Sequence, residues 1–335
     1  MSEPQEAATG PPWLVPVIPT PRRELIAAGK ASHRLDSELR SGRSVAPFRG
    51  IHVDAVFARS WLARLRAALA TQGPDAAATM QTSAVLHRFR WLPDSWSALD
   101  ATIHFAVAPS SKRRNRAGLK LYRRALAACD IVFVDGIPCL SATRTLVELA
   151  RDGRTPALLV VQIIDGAIRD GRVTKAELFA CLDRLAGERG ITRARRLVER
   201  SREGVDSPQE TAMRLTLEDS GISGLDVGIE ICEEPYGDVL ARGDLGIKLL
   251  LIWGEYDGFG PHSERRTFRS DRRGDRWLHR RGWHVMRFTD TDLARPVDTC
   301  REWQAAIGDA PARIRALDPR RSPEIAAAWR HLGFS

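Results

Sequence analysis

The chain has 335 residues, 43% hydrophobic and 28% charged, a balance that suits a soluble globular protein of two or three domains. No apolar run approaches the roughly 20 residues of a membrane span, so a membrane partner is not expected. Its 51 Lys and Arg against 42 Asp and Glu give a net charge of +9, which makes a polyanion such as nucleic acid a plausible partner. Five scattered cysteines without a CxxC pair support neither a zinc ribbon nor a disulfide framework, and a reducing cytoplasm is the expected compartment.

Residues 1–20 are Pro-rich and lack the basic and apolar regions of a signal peptide, so they read as a weakly ordered tail. Between 21 and 54 the spacing predicts two short helices and a two-stranded wing. RRELIAAG closes at Gly29, and ASHRLDSELRSG runs from an N-cap at Ser32 to a stop at Gly42. This order fits a winged helix-turn-helix, with Arg34, Arg40, Arg43 and Arg49 as candidate DNA contacts. The alternative is an αα-hairpin on a β-hairpin with solvated arginines.

Residues 55–150 alternate helix and strand signals and read as a small α/β region. FARSWLARLRAALAT has helical spacing, TIHFAVAP is a short strand, and Asp135-Gly136 is a hairpin turn. SKRRNRAGLKLYRR reads as a hairpin tip beside phosphates or a solvated loop. Residues 151–206 form a helical linker region in which Thr174 and Glu177 make a capping box.

From 207 the texture changes. Ser207 is an N-cap, Pro208 takes N1 and Glu210 takes N3 of a helix. LDVGIEICEE, GDVLARGDLGI and KLLLIWGEYD read as three strands. SERRTFRSDRRGDRWLHRRG is a helix stopped by Gly282, WHVMRFT a fourth strand, and DTDLARPVDTCREWQAAIG a closing helix. The order is α-β-β-β-α-β-α over 207–308, with 309–335 as a tail.

The acids of this domain carry the chemistry. Glu210 lies on its first helix, Asp244 at the end of the second strand, and Glu255 and Asp257 at the end of the third. Strand alternation sends Glu255 and Asp257 to one face. Clustered carboxylates repel and their pKa values rise unless a cation neutralises them, and hard oxygen donors suit Mg²⁺ or Mn²⁺. Arg265, Arg269, Arg272, Arg276 and Arg280 fall on one helical stripe roughly 80° wide, fit for a phosphate backbone or simply a solvated face. Trp277 and Trp283 are core residues or base-stacking platforms.

SPQE (207–210), GDL (243–245), GEYDG (254–258) with His262, and DRRGDRWLHRRGWHVMRFTDTDL (271–293) together resemble the PD-(D/E)XK nuclease superfamily, in its very-short-patch-repair-like (Vsr-like) branch. The resemblance covers about 100 residues. It implies an α+β multi-domain protein with an N-terminal winged helix, a helical middle region and a C-terminal restriction-endonuclease-like αβββαβα domain. Residues 21–54, with DGIPCLSATRTLVELA further on, resemble the winged helix-turn-helix region of AbiEi-type antitoxins, which implies double-stranded DNA as partner.

The resemblance further implies that Asp244 and Glu255 are metal ligands for Mg²⁺ or Mn²⁺, joined by Glu210 and the backbone carbonyl of Tyr256. His262 becomes the candidate general base or phosphate contact. Two positions depart from the pattern. Asp257 stands where the family's Lys is usual, and Pro261 where the branch places its first His. Two functions follow: a metal-dependent DNA endonuclease acting in repair or defence, or a non-catalytic, antitoxin-like regulator that keeps the nuclease fold as a scaffold. DNA substrate, oligomeric state and any toxin partner are not specified by these motifs.

Overall fold

A computed structural model describes residues 18–73, 75–232, 239–257 and 275–317. The chain is mixed α and β and divides into two compact units at the 148/149 boundary. Among the described residues no helix is long and apolar enough to cross a membrane.

In the first unit, β1 (Thr20–Pro21), α1 (Arg22–Ala27), α2 (Ser32–Arg40), β2 (Ser44–Phe48) and β3 (Ile51–Asp54) form two helices beside a three-stranded sheet of order β1-β3-β2. The wing therefore gains a strand from Thr20 and Pro21 that local pattern did not indicate. Gly29 and Gly42 end the helices with φ of +90° and +71°, conformations that only glycine adopts without strain. Ser32 is not the N-cap. Ala31 holds that place without a side-chain bond, and the Ser32 hydroxyl instead accepts a 2.6 Å bond from Arg22, which also pairs with Asp36. That contact staples α1 to α2.

The rest of this unit carries α3 (Trp61–Ala70), β4 (Ala77–Ala78), α4 (Met80–Leu86), β5 (Ile103–Val107), β6 (Leu119–Arg123), β7 (Ile131–Val134), β8 (Ile137–Leu140) and most of α5 (Ala142–Arg151), within which the boundary falls. Its sheet order is β6-β5-β4-β8-β7. Val134 pairs with Ile137 across Asp135 and Gly136, both at positive φ, the two-residue hairpin turn expected of Asp-Gly. The basic segment before β6 is not a hairpin tip. β5 and β6 are parallel, so residues 108–118 form a crossover, tied by the Leu121 amide donating to Asn115.

The second unit adds α6 (Ala157–Arg169), α7 (Lys175–Arg184), α8 (Ile191–Arg200), α9 (Pro208–Asp219), β9 (Asp226–Cys232), β10 (Val239–Ile247), β11 (Ile252–Tyr256), β12 (His284–Phe288), α10 (Asp290–Leu293) and α11 (Pro296–Leu317). The sheet order is β12-β11-β10-β9, antiparallel except for the parallel pair β11–β12. Residues 275–280 are helical between β11 and β12. Two expectations change here. Lys248–Leu250 is a 3₁₀ turn followed by Leu251 at φ +52°, so the third strand starts at Ile252. The closing helix runs through Leu317 and buries Ala310 and Ile314, so 309–317 belong to the core and are no tail.

The core under the sheet joins Met213 and Leu217 of α9, Leu245, Ile247 and Ile252 of the strands, and Phe288, Trp303, Ile307 and Ile314. Each fully buried Leu or Ile contributes roughly 1.5–3 kcal/mol. Residues 151–206 are not a detached linker either. Asp165 of α6 accepts from the Arg202 amide at 2.8 Å, the Thr211 hydroxyl at 2.8 Å and Arg214 at 3.1 Å, and both charged residues are 0% exposed. Burial pushes the Asp165 carboxyl up to about 6, against the pull of Arg214 and these hydrogen bonds. A buried pair so bonded fixes α9 against α6. Thr211 directly follows Glu210, so this network sets the rotation at which α9 presents that acid.

Candidate active site

The start of α9 is built as its residues dictate. The Ser207 hydroxyl caps the Glu210 amide at 3.2 Å and Pro208 opens the first turn. The Glu210 carboxylate turns back and accepts the Asp206 amide at 2.8 Å. It is 8% exposed and has no ion-pair partner among the described residues. Burial, with Asp244 and Asp206 adding negative charge, pushes its pKa up to about 7.

Asp244 lies within β10, three residues before its end rather than at its tip. Leu245 pairs with Gly254, so Asp244 and Glu255 are the next residues along the ladder. The Tyr256 amide donates to Asp244 Oδ2 at 2.7 Å, and no cation pairs with this carboxylate among the described residues. Burial first, then the charges of Asp206 and Asp257, raise its pKa, against that amide and Arg242. Arg242 pairs with Asp206 at 3.2 Å, as Arg169 does at 3.0 Å. A cavity of about 490 Å³ opens there, lined by Arg169, Thr174, Glu203, Gly204, Asp206 and Arg242.

Glu255 and Asp257 do share a face, as alternation requires, but they meet a cation. Parallel pairing sets Glu255 opposite Arg287. Glu255 Oε1 accepts from Trp253 Nε1 at 2.7 Å, and Oε2 forms an ion pair with Arg287 Nη2 at 2.8 Å. The same guanidinium reaches Asp275 at 2.8 Å and Asp257 at 3.1 Å. Burial raises the Glu255 pKa, with Asp275 and Asp244 adding to it and Trp253 and Arg287 opposing. Burial alone would lower the Arg287 pKa, but the Asp275 hydrogen bond and three carboxylate charges outweigh it and raise it. Trp253 is wholly buried, packed with Ile229, Leu278 and an edge-on Trp283, which places Trp283 in the core. Trp277 lies under the guanidinium of Arg281 at 3.6 Å.

The four expected acids thus gather at one part of the domain as two subsets. Asp244 raises the Glu210 pKa and neither acid makes an ion pair among the described residues, while Glu255 and Asp257 gather on Arg287. Among the described residues no three His, Cys, Asp or Glu side chains converge into a group that could hold a metal. Glu210 and Asp244 still fit a Mg²⁺-type ion in donor chemistry, since such ions use one or two carboxylates and keep waters or substrate phosphates for the rest. Tyr256 is in register with Phe288 of β12, and its amide faces Asp244 on the opposite side of the strand. Its hydroxyl donates to Asp290.

His262, Arg265, Arg269 and Arg272 lie outside the described residues, so the expected stripe is seen only from Arg276 and Arg280, both exposed. In the first unit Arg34, Arg40, Arg43 and Arg49 are all exposed. None of the four makes an ion pair among the described residues, and Arg43 donates to Ser41 at 3.2 Å. Sequence reasoning missed Arg287, Trp253 and Asp206. Only the charged Arg287 inside the strand HVMRF hints at a polar position on β12, and its partner on the neighbouring strand is not readable from it.

No family model matches the chain. It is similar to a protein of Mycobacterium tuberculosis described as uncharacterized, MT2308 in strain CDC 1551 / Oshkosh and Rv2248 in strain ATCC 25618 / H37Rv. Both are 26% identical over 264 residues, covering 78% of this chain and 91% of the relative.

Proposed function

We propose that this chain binds duplex DNA through the exposed arginines of its N-terminal helices and wing and hydrolyses a phosphodiester at Glu210, Asp244 and Glu255. The observation that carries the reading is the Glu210–Asp244 pair: a buried and a half-buried carboxylate, the charge of Asp244 raising the Glu210 pKa, with no ion pair to either among the described residues. Such a pair is costly unless a cation joins it. The element order α9 to α11, with the acids on the first helix and the two central strands, supports a restriction-endonuclease-like domain of the Vsr-like kind.

Glu210 and Asp244 would hold Mg²⁺ or Mn²⁺, and Glu255 would join them once Arg287 releases it. When bound, such an ion supplies an ionised water and stabilises charge on a phosphate. The chain's own residues prepare for this. The Tyr256 and Asp206 amides orient Asp244 and Glu210, and Trp253 fixes the Glu255 rotamer. Arg169 and Arg242 stand beside Asp206, where a phosphate backbone would pass.

A second reading has its own observation. Glu255 has both oxygens engaged and Asp257 replaces a Lys, which suits a non-catalytic DNA-binding regulator on the same scaffold. Incubation of plasmid or branched DNA with Mg²⁺ or Mn²⁺ separates the two. Cutting by the wild type and not by Asp244→Ala/Glu255→Ala is expected. Equal cutting by both, or by neither, would refute the nuclease reading.

A further inference from the structure

We propose that Arg287 is a built-in counter-cation that competes with the metal for Glu255, and that a DNA phosphate draws it away, so that metal loading is coupled to substrate binding. The inference rests on the metal-site reading above and adds its regulation.

The geometry carries it. Glu255 Oε2 and Arg287 Nη2 are 2.8 Å apart, the same nitrogen serves Asp275 at 2.8 Å, and Nη1 serves Asp257 at 3.1 and 3.3 Å. The guanidinium therefore sits among three carboxylates with a net negative surplus. It is partly exposed, at 28%, so an anion from solvent can reach it. With Trp253 on its other oxygen, Glu255 has its strongest acceptor positions filled, and a divalent ion at Glu210 and Asp244 gains Glu255 only by displacing Arg287. Two positive charges on one carboxylate oxygen repel. A phosphate offers the guanidinium a bidentate partner of matching shape. Asp257 and Asp275 assist the exchange by holding the arginine close while it turns. By linkage, the factor by which DNA tightens metal binding must equal the factor by which metal tightens DNA binding.

The test titrates Mn²⁺ by calorimetry into the full chain, with and without a short duplex carrying phosphorothioate linkages that resist cutting. The wild type should bind Mn²⁺ weakly alone and more tightly with the duplex, by roughly 5-fold or more, the low end of ordinary coupling. Arg287→Gln should bind Mn²⁺ more tightly than wild type without DNA and gain less than wild type from the duplex. Equal or weaker Mn²⁺ binding by Arg287→Gln, with an unchanged response to DNA, would overturn the inference and leave Arg287 as an anchor for Glu255. If circular dichroism shows that the Gln variant fails to fold, Arg287→Lys carries the test. Its single point charge cannot serve three carboxylates at once, so intermediate tightening is expected and wild-type affinity overturns the proposal. Absence of saturable Mn²⁺ binding in the wild type with and without DNA is a different result. It removes the metal-site reading and this inference with it.

Discussion

Replacing Glu210 by Gln should stabilise the protein at alkaline pH. The side chain keeps its shape and its acceptor for the Asp206 amide but can no longer ionise. The rise from an ordinary 4.5 to about 7 is worth about 3 kcal/mol at ~1.4 kcal/mol per tenfold, an upper bound on the cost of ionising this group in the fold. The sign follows from proton binding. A carboxyl with a raised native pKa binds protons more readily folded than unfolded, so the favourable contribution is complete below 4.5 and is lost as pH rises through about 7. The gain from Glu210→Gln should therefore be near zero at pH 4, partial at pH 6 and full at pH 8. For a unit of the size of residues 149–335, about 3 kcal/mol moves Tm by roughly 6–12 °C. The assay is thermal unfolding followed by circular dichroism across this pH range, with a chelator present so that no cation supports the wild type. A helix-capping Glu without a site role gives a variant that is neutral or less stable at every pH. That result, or a gain equal at pH 4 and pH 8, refutes the reasoning.

The remaining predictions test the supports of the site. Arg214→Met leaves Asp165 buried without its cation and should cost about 3–5 kcal/mol, whereas Asp165→Leu/Arg214→Met should recover most of it; a double-mutant cycle by urea unfolding checks this, and equal losses in both would contradict it. Gly243→Ala would place its Cβ 2.6 Å from the buried Trp253 ring, so it should cost about 1–3 kcal/mol and weaken Mn²⁺ binding through the lost Trp253–Glu255 bond. Unchanged Mn²⁺ affinity in a folded Gly243→Ala would show that Trp253 does not orient Glu255. Arg34→Ala/Arg40→Ala should weaken DNA binding and lower the slope of log affinity against log salt by about 2, near 0.9 per phosphate contact; an unchanged slope places the DNA elsewhere.

Local chemistry made much of this architecture readable. Ser207, Pro208 and Glu210 announce a helix start, Asp135-Gly136 announces a hairpin, and Gly29 and Gly42 stop helices, because each acts within a few residues. That Glu210, Asp244 and Glu255 lie near one another is readable because strand alternation and the order of elements place these acids together. What was not readable depends on distant partners. The Glu255–Arg287 contact exists only because β11 and β12 pair in parallel with that register. The Asp165–Arg214 contact joins residues 49 apart, which is why 151–206 read as a linker. Leu251 at positive φ ends the 3₁₀ turn without a glycine to signal it, so the strand start was placed too early. Ser32 looked like a cap because its hydroxyl suits one, but Arg22 claims that oxygen first.

On the proposed reading, Glu210 and Asp244 share one divalent cation. Electron paramagnetic resonance of Mn²⁺ in the presence of the phosphorothioate duplex counts bound ions directly. One tightly held Mn²⁺ per chain is expected in the wild type and none in a folded Glu210→Gln/Asp244→Asn double variant. Equal binding by the two proteins would contradict it.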